Sequence, residues 1–555
     1  MLSTFSGLET ARRALMTQQQ ALYTVGHNVA NANTAGYTRQ RVNFQTTEAY
    51  PSAGMNSPQI PGSMGTGVKA GSIQRIRDQF LDVQFRNEHT KTGYWNARYL
   101  SLEKMESQMN ELSMDGLTKQ LNELWSKFQD LVQNPAESGE RSVVRETAKA
   151  LTDSFNYISN SLTQIQDDYK NELDVQTTHL NSLLNQLNQV NKQIRDVEPH
   201  GYVTNDLYDE QDRLIDEISG YMKVSVSREE SSGKPNSAAE GAVNLFFVDA
   251  NGTRHAMVDG SNPDNLQQIT MTKDEDGHFV SMNIGDVNLS FSDMPNGALK
   301  GIVEALGYTN EQGEVVGTYT KMLAQLDEMA FVFAKQINDI HKSGFTLPDV
   351  NGEVHQGQDF FTIGSLDFND PTNKKGAAAL LAVSDHINQS LNHIAASGVN
   401  KEALENVEQY EAVLREAKDT NNFALVADFL ENEAVFKPGV PKAFPGDASN
   451  AALLADAKDM QLQFGTSTAT VGGFYQSVIG QMAVDTKEAE RLLNNSGNLL
   501  ASVEFNRQSV SNVSVDEELT LMIQYQHAYN AAARNITMVD ELIDTIINRM
   551  GLVGR

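Results

Sequence analysis

VDEELTLMIQYQHAYNAAARNITMVDELIDTIINRM, residues 515–550, contains neither glycine nor proline. Within it Val515, Met522, Tyr529, Ile536, Ile543 and Met550 recur every seven residues. Leu519, Ala533 and Ile547 lie beside that seam, and Val539, Ile546 and Val553 follow its other flank. A seven-residue apolar repeat sustained over several turns marks a helix that buries a seam in partner helices. Glycine and proline are absent from the whole interval between Gly497 and Gly551, so one uninterrupted helix is predicted through it. At about 1.5 Å per residue, residues 515–553 would form a rod of roughly 58 Å.

The other end carries a matching pattern. Leu8, Leu15, Leu22 and Val29 repeat every seven residues, Ala11, Val25 and Ala32 fill the positions between, and only Gln18 interrupts. The two ends also differ in charge. Residues 1–46 hold four arginines against one glutamate, a net +3; residues 514–555 hold three arginines against six carboxylates, a net −3. Opposite signs favour pairing, although an exposed ion pair contributes only about 0–1 kcal/mol. Burying the seam, at roughly 1.5–3 kcal/mol per side chain, must supply most of the stabilisation. The expected result is a coiled-coil stem built from both ends of the chain.

Composition bounds the rest. At 555 residues the chain is too long for one core, and three or four domains are expected. No cysteine is present, which removes disulfides, thiolate metal sites and cysteine nucleophiles together. Lys+Arg 43 against Asp+Glu 72 gives a net charge of −29, which argues against a nucleic-acid partner. Since the ends cancel, that surplus lies on residues 47–513. No apolar run approaches the roughly 18–20 residues of a spanning helix, so no membrane partner is expected. MLSTFSGLETARRALM at the start lacks the apolar stretch and cleavage site of a secretory signal.

Between the ends the text changes character. A long helix is predicted at 158–194 from the stripe Leu162, Ile165, Tyr169, Leu173, Leu180, Leu183, Leu187, Val190 and Ile194, and shorter helices at about 96–133, 204–222, 319–342 and 469–496. Residues 223–317 alternate and turn at Asn-Gly and Asp-Gly, as β-hairpins do. Residues 366–462 open in a polar loop, read as helical over 377–397, 406–419 and 423–431, and close in a proline-rich loop. The fold class expected is multidomain α+β. It comprises a terminal coiled-coil domain (1–46 with 514–555), a helical bundle domain (47–222, 318–365 and 463–513), an inserted β-rich outer domain (223–317) and a variable, mainly helical insert (366–462). The inserted domains are expected to project outward from the stem.

Catalytic and ligand-binding patterns are missing. There is no HExxH, GxSxG or phosphate loop; GSMGTGVKAG (62–71) leads into a predicted strand instead. DANG (249–252) and DEDG (274–277) lack the ligand spacing of a calcium loop and are expected to be hairpin turns. His386 and His393 fall on one predicted helix two turns apart, too far to chelate one ion alone. No metal, no cofactor and no enzymatic activity are expected.

The specific signal is GHNVANANTAGYTRQR, residues 26–41. Physically it closes the first helix. Asn28, Asn31 and Asn33 can bond backbone groups locally, Gly36 supplies a turn, and Tyr37 offers an aromatic anchor for the chain that follows. The Asn-rich helix end followed by Asn33, Thr34, Ala35, Gly36 and Tyr37 resembles the signature of bacterial flagellar rod and hook axial proteins. NDLYDEQDRLIDEIS (205–219), LDEMAFVFAKQINDIHKSG (326–344), QDFFTIGS (358–365) and NRQSVSNVSVDEELTLMIQYQHAYNAAARNI (506–536) are similar, in family order, to landmarks of the flagellar hook-associated protein 1 family, the first hook–filament junction proteins. Residues 366–462 do not map onto that family's outer domain.

That resemblance implies a structural adaptor of the flagellum, secreted through the type III export apparatus without a cleaved signal and assembling as a ring at the hook–filament junction. The implied partners are further copies of itself, the hook protein, the second hook–filament junction protein, and an export chaperone on the C-terminal helix. Leu8, Leu15, Leu22, Val29, Val515, Leu519, Met522, Tyr529, Ile536, Ile543 and Met550 are the expected assembly seam. Two alternatives stay open: another hook or rod protein, or a junction protein whose 366–462 insert has an added adhesive role.

Overall fold

The structure is a computed structural model that describes residues 5–51, 54–55, 62, 64–111, 116–274, 277–349, 351–370 and 372–549. Helix α1, Phe5–Ala30, ends at the asparagine-rich turn, and an antiparallel pair follows, β1 (Gln40–Thr46) and β2 (Val68–Arg75), with Gln40 opposite Arg75. The second long segment is α2, Gln79–Glu111, then α3, Leu117–Gln133. The predicted helix at 96–133 is therefore two helices, and the first begins well upstream.

Helix α4, Ser138–Val197, is the spine of the molecule at 60 residues. At about 1.5 Å per residue it is roughly 90 Å long. It starts twenty residues before the predicted element because Val144, Ala148, Leu151 and Phe155 continue the apolar stripe and are buried against α3. Helix α5, Asn205–Tyr221, returns beside α2 and α4.

Strands then occupy the stretch where hairpins were predicted. β3 (Val224–Glu229), β4 (Ala242–Val248) and β5 (Arg254–Val258) form one antiparallel sheet. β6 (Ile269–Lys273), β7 (Phe279–Ile284) and β8 (Val287–Ser290) join a second, which is completed after helix α6 (Ala298–Leu306) by β9 (Tyr308–Thr309) and β10 (Val315–Val316). The DANG turn connects β4 to β5, with the Gly252 amide donating to the Asp249 carbonyl at 3.1 Å; of DEDG, Glu275 and Asp276 lie outside the described residues, and the Gly277 amide donates to the Asp274 carbonyl at 3.1 Å. Helix α7, Thr318–Lys342, lies on α4 and is buried along much of its length.

The second insert departs from its reading. In place of a helix over 377–397 there are α8 (Ala377–Leu380), β12 (Leu381–Val383), which pairs with β11 (Phe361–Ile363) just before the insert, α9 (Asp385–Gln389) and irregular chain. Tertiary bonds override the helical propensity. Asn156 Nδ2 on α4 donates to the carbonyls of Ala378 (3.0 Å) and Leu381 (2.9 Å), and Arg141 to those of Leu391 (3.1 Å) and Ile394 (2.7 Å). These groups would be consumed within a continuous helix. His386 and His393 stack face to face at 3.8 Å, because the chain between them breaks at the extended Ser390 and is not one continuous helix.

Helices α10 (Val407–Thr420), α11 (Ala424–Glu431) and α12 (Ser449–Asp456) follow, and α11 and α12 pack on α7. The insert is thus folded onto the helical body and does not stand clear of it. β13 (Leu462–Phe464) and β14 (Ser467–Ala469) lead into α13, Val471–Ser511, which runs along α2.

The last helix, α14, is Val515–Asp544, continued as a π-helical turn over Thr545–Arg549. The uninterrupted helix predicted through this region breaks at Asn512, which is extended (ψ 155), and Val513, which is buried. Low-propensity Ser, Val and Asn residues make the break inexpensive, and the Arg39 amide donates to the freed Ser511 carbonyl at 2.9 Å.

Candidate functional site

The two chain ends meet. Helix α1 packs along α14, and the buried face of α1 is small and polar: Ala11, Thr17, Ala21, Thr24, Val25 and Asn28. The expected seam lies to one side of that face. Leu8, Leu15, Leu22, Val29, Met522, Tyr529, Ile536 and Ile543 are half-buried, and Val515 and Leu519 are exposed. Met550 lies outside the described residues. Small residues at the contact let the helices approach closely and leave the larger apolar side chains at its edges.

The helix-end motif gathers around Asn28, which is 1% exposed and fully bonded. Its Nδ2 donates to the Gln40 carbonyl at 2.8 Å and to Glu518 Oε2 at 3.0 Å. Its Oδ1 accepts from the Gln40 amide at 3.0 Å and from the Tyr37 hydroxyl at 2.8 Å. One asparagine therefore ties the last turn of α1 to the first residue of β1 and to the first turn of α14. Tyr37 folds back and does not anchor the following chain; its hydroxyl also lies 2.9 Å from His27 Nδ1. Burial, with Asp206, Asp209 and Glu518 nearby, pushes the Tyr37 phenol well above its usual pKa. Asn31 donates to the His27 carbonyl at 3.1 Å and accepts from Thr34 Oγ1 at 3.3 Å. Gly36 turns at φ 81, in the left-handed region that glycine adopts without strain, and Asn33 is exposed.

Charge closes the same junction. Arg39 bonds Glu517 at 2.8 Å and Glu518 at 2.7 Å, joining the positive end to the negative one. Glu517 and Glu518 sit in the first turn of α14, where a helix N-terminus stabilises carboxylates.

Behind the junction lies a buried ionic network that sequence reading missed. On α5, Asp209 accepts from the Thr38 amide at 3.0 Å and Asp206 from Gln40 Nε2 at 3.0 Å. Arg75 bonds Asp209 (2.8 Å), Asp212 (2.9 Å) and Glu240 (2.6 Å). Arg86 bonds Asp212 (3.1 Å) and Asp216 (2.7 Å), and Arg77 bonds Asp82 (2.7 Å). Arg507 reaches Asp216 from α13. Burial opposes ionisation of Asp212, but Arg77, Arg75, Arg228 and Arg86 outweigh it and hold its carboxyl well below the usual range. Asp209, buried with fewer cations, is shifted upward. The available signal was the spacing of Asp206, Asp209, Asp212 and Asp216, which puts four carboxylates on one helical face.

Among the described residues no group of three or more ligands could hold a metal ion, and no helix is long and apolar enough to cross a membrane. What the arrangement supplies is mechanical: a bonded joint between two chain ends and a body.

Comparison with known proteins follows the same parts. The model for the flagellar hook-associated protein FlgK helical domain matches residues 102–361. The flagella basal body rod protein model matches 8–38, and the model for the C-terminal part of the flagellar basal body rod FlgEFG proteins matches 506–550. Those two terminal matches are the segments that meet at Asn28 and Glu518. Flagellar hook-associated protein 1 of Bacillus subtilis (strain 168) is 40% identical over 559 residues, covering 100% of both chains. That of Escherichia coli (strain K12) is 24% identical over 580 residues, covering 98% of this chain and 99% of its own. The solved flagellar hook junction protein FlgK from Burkholderia pseudomallei shares the fold, with a TM-score of 0.57 at 13% identity over 77% of this chain and 100% of that one. Similarity to the Bacillus relative runs end to end, and the chain belongs to the flagellar hook-associated protein 1 family, structural proteins of the bacterial flagellum.

Proposed function

We propose that the chain is a structural adaptor that assembles as a ring of subunits at the hook–filament junction, with the α1–α14 pair as its inner layer. The observation that carries this is the surface of α14. Although α14 packs along α1, it keeps Val515, Leu519 and Ile523 (56%) exposed at four-residue spacing near its start and Met538 (58%) and Leu542 (58%) near its end, where Ile546 and Ile547 (71%) on the π-helical turn extend the run. Exposed apolar runs of this kind mark an interaction surface, and further copies of the chain supply the partner. The half-buried seam residues beside the α1 contact, and the exposed Val515 and Leu519, would become fully buried in such a ring.

On this reading the partners are neighbouring copies, the hook protein on one side and the second hook–filament junction protein on the other. An export chaperone covers α14 before assembly, and secretion proceeds without a cleaved signal. The terminal pair (1–46 with 514–555), the helical domain (47–222, 318–365 and 463–513), the β-rich domain (223–317) and the insert (366–462) are the working divisions.

Ile536→Asp tests the proposal in cells whose own copy is deleted. It is expected to abolish swimming while the purified variant keeps the unfolding temperature of its helical body. Normal swimming by that variant would overturn the reading.

A further inference from the structure

The stretch NDLYDEQDRLIDEIS stood out in the sequence as a landmark, and the adaptor reading gives it no task. On α5 it puts Asp206, Asp209, Asp212 and Asp216 on one face. Like charges three and four residues apart repel one another, so this face is unfavourable by itself. In the folded chain it is neutralised from several directions. Arg75 and Arg77 come from the end of β2 and the link beyond it, Arg86 from α2, Arg228 from β3, and Arg507 from α13. The arginines and the aspartates of the central rungs are almost fully withdrawn from water: the side chains of Arg75, Asp212 and Arg86 are 1%, 5% and 8% exposed.

We propose that the aspartate face of α5 is a clasp that fixes the orientation of the terminal helices on the helical body, and that it closes only when segments from both chain ends are seated. Thr38 and Gln40 follow α1 by eight and ten residues and bond Asp209 and Asp206. Arg507 precedes α14 by eight residues and bonds Asp216. Each terminal helix is therefore held by a short tether to the same face of the same helix. The tethers are also joined to each other, through the Arg39 amide on the Ser511 carbonyl and through Arg39 on Glu517 and Glu518. Buried ionic contacts suit such a role because their directionality rewards one geometry, whereas an apolar contact tolerates sliding. The body itself does not depend on the clasp for its core, since Leu151, Phe155, Leu162, Leu173 and Leu180 of α4 are fully buried elsewhere.

The test uses the full chain and three variants. Asp216 bonds neither residues 38–40 nor α14, yet Asp216→Asn is expected to speed hydrogen exchange of the Thr38 and Arg39 amides at least tenfold while α4 exchanges as before. Arg507→Gln should give the same pattern from the opposite side. Glu210→Gln, on α5 outside the aspartate face and paired with Arg213 at 2.7 Å, should behave as wild type. Because the chain has no cysteine, spin labels at Tyr23→Cys and Val175→Cys report the angle between α1 and α4. Their distance distribution should broaden in Asp216→Asn. Unchanged exchange at 38–39, an unchanged distance distribution, or a parallel loss of protection along α4 would each overturn the proposal, the last because it would make the network part of the body's core.

Discussion

Asn28 and Asn33 look equivalent in the string GHNVANANTAGYTRQR, and the structure separates them completely. Both fit a helix end, so that much was legible from the residues. That Asn28 also reaches Glu518, 490 residues away, was not, because no local pattern encodes which partner a buried amide will find. Its Nδ2 faces a carboxylate, so Asn28→Asp sets two anions against each other within hydrogen-bonding distance. The α1–α14 contact should lose about 1–3 kcal/mol, the cost of leaving a buried polar group without its partner. Adding Glu518→Gln restores a donor and should recover most of that loss, as chemical denaturation of the single and double variants would show. His341 makes a second residue-scale case. It is buried, donates from Nδ1 to the Gln358 carbonyl at 2.5 Å, and accepts from the Ala395 amide at 2.8 Å. Burial, and behind it His386, Arg141 and Lys342, outweigh the pull of that carbonyl and lower its pKa to about 4. An unfolded histidine titrates near ~6.5, so the unfolded chain takes up the proton first. Stability is fully present above that value and is lost as the pH falls toward 4, by about 3 kcal/mol in all. His341→Gln, which can keep both bonds, should flatten this slope in unfolding measurements between pH 7 and 4.

At the scale of elements, periodicity served well wherever a helix buries one long face. The stripe from Leu162 to Ile194 is all buried or half-buried on α4. Periodicity failed where tertiary bonds compete with helix formation, as at 377–397, and where a second segment docks on the chain, as Arg39 does at Ser511. Composition gave no warning of either, since both depend on groups distant in sequence. The seating of α2 on α5 shows how closely such docking is fitted. A Cβ at Gly93 would stand 2.2 Å from the Gly220 carbonyl oxygen, which is backbone and cannot turn aside. Beside it Thr90 Oγ1 donates to the Ser219 carbonyl at 2.6 Å. Gly93→Ala should push α2 away from α5, strain both this bond and the Arg86–Asp216 pair, and cost about 1–3 kcal/mol as an overpacked contact. A thermal melt of the variant checks this; an unshifted melting temperature would show that α2 can be displaced freely.

For the whole molecule, the −29 charge and the apolar stripe of α14 act against each other. Net charge of that size keeps separate copies apart, while the exposed stripe draws them together by burying area at about 25 cal/mol per Å². The charge lies on the segments between the ends, and the ends themselves are balanced by pairs such as Arg39 with Glu517 and Glu518. Repulsion between bodies is screened within roughly 8–10 Å at ordinary salt, but apolar burial is not, so association through α14 should strengthen as salt is raised. Sedimentation of the purified chain across a salt series should show larger species at higher ionic strength. Leu542→Asp combined with Ile547→Asp should remove that response without moving the melting temperature of the body, because both side chains stand in solvent. Persistent salt-driven association in the double variant would instead locate the contact on the helical body, where Phe80, Val484 and Phe505 are also exposed.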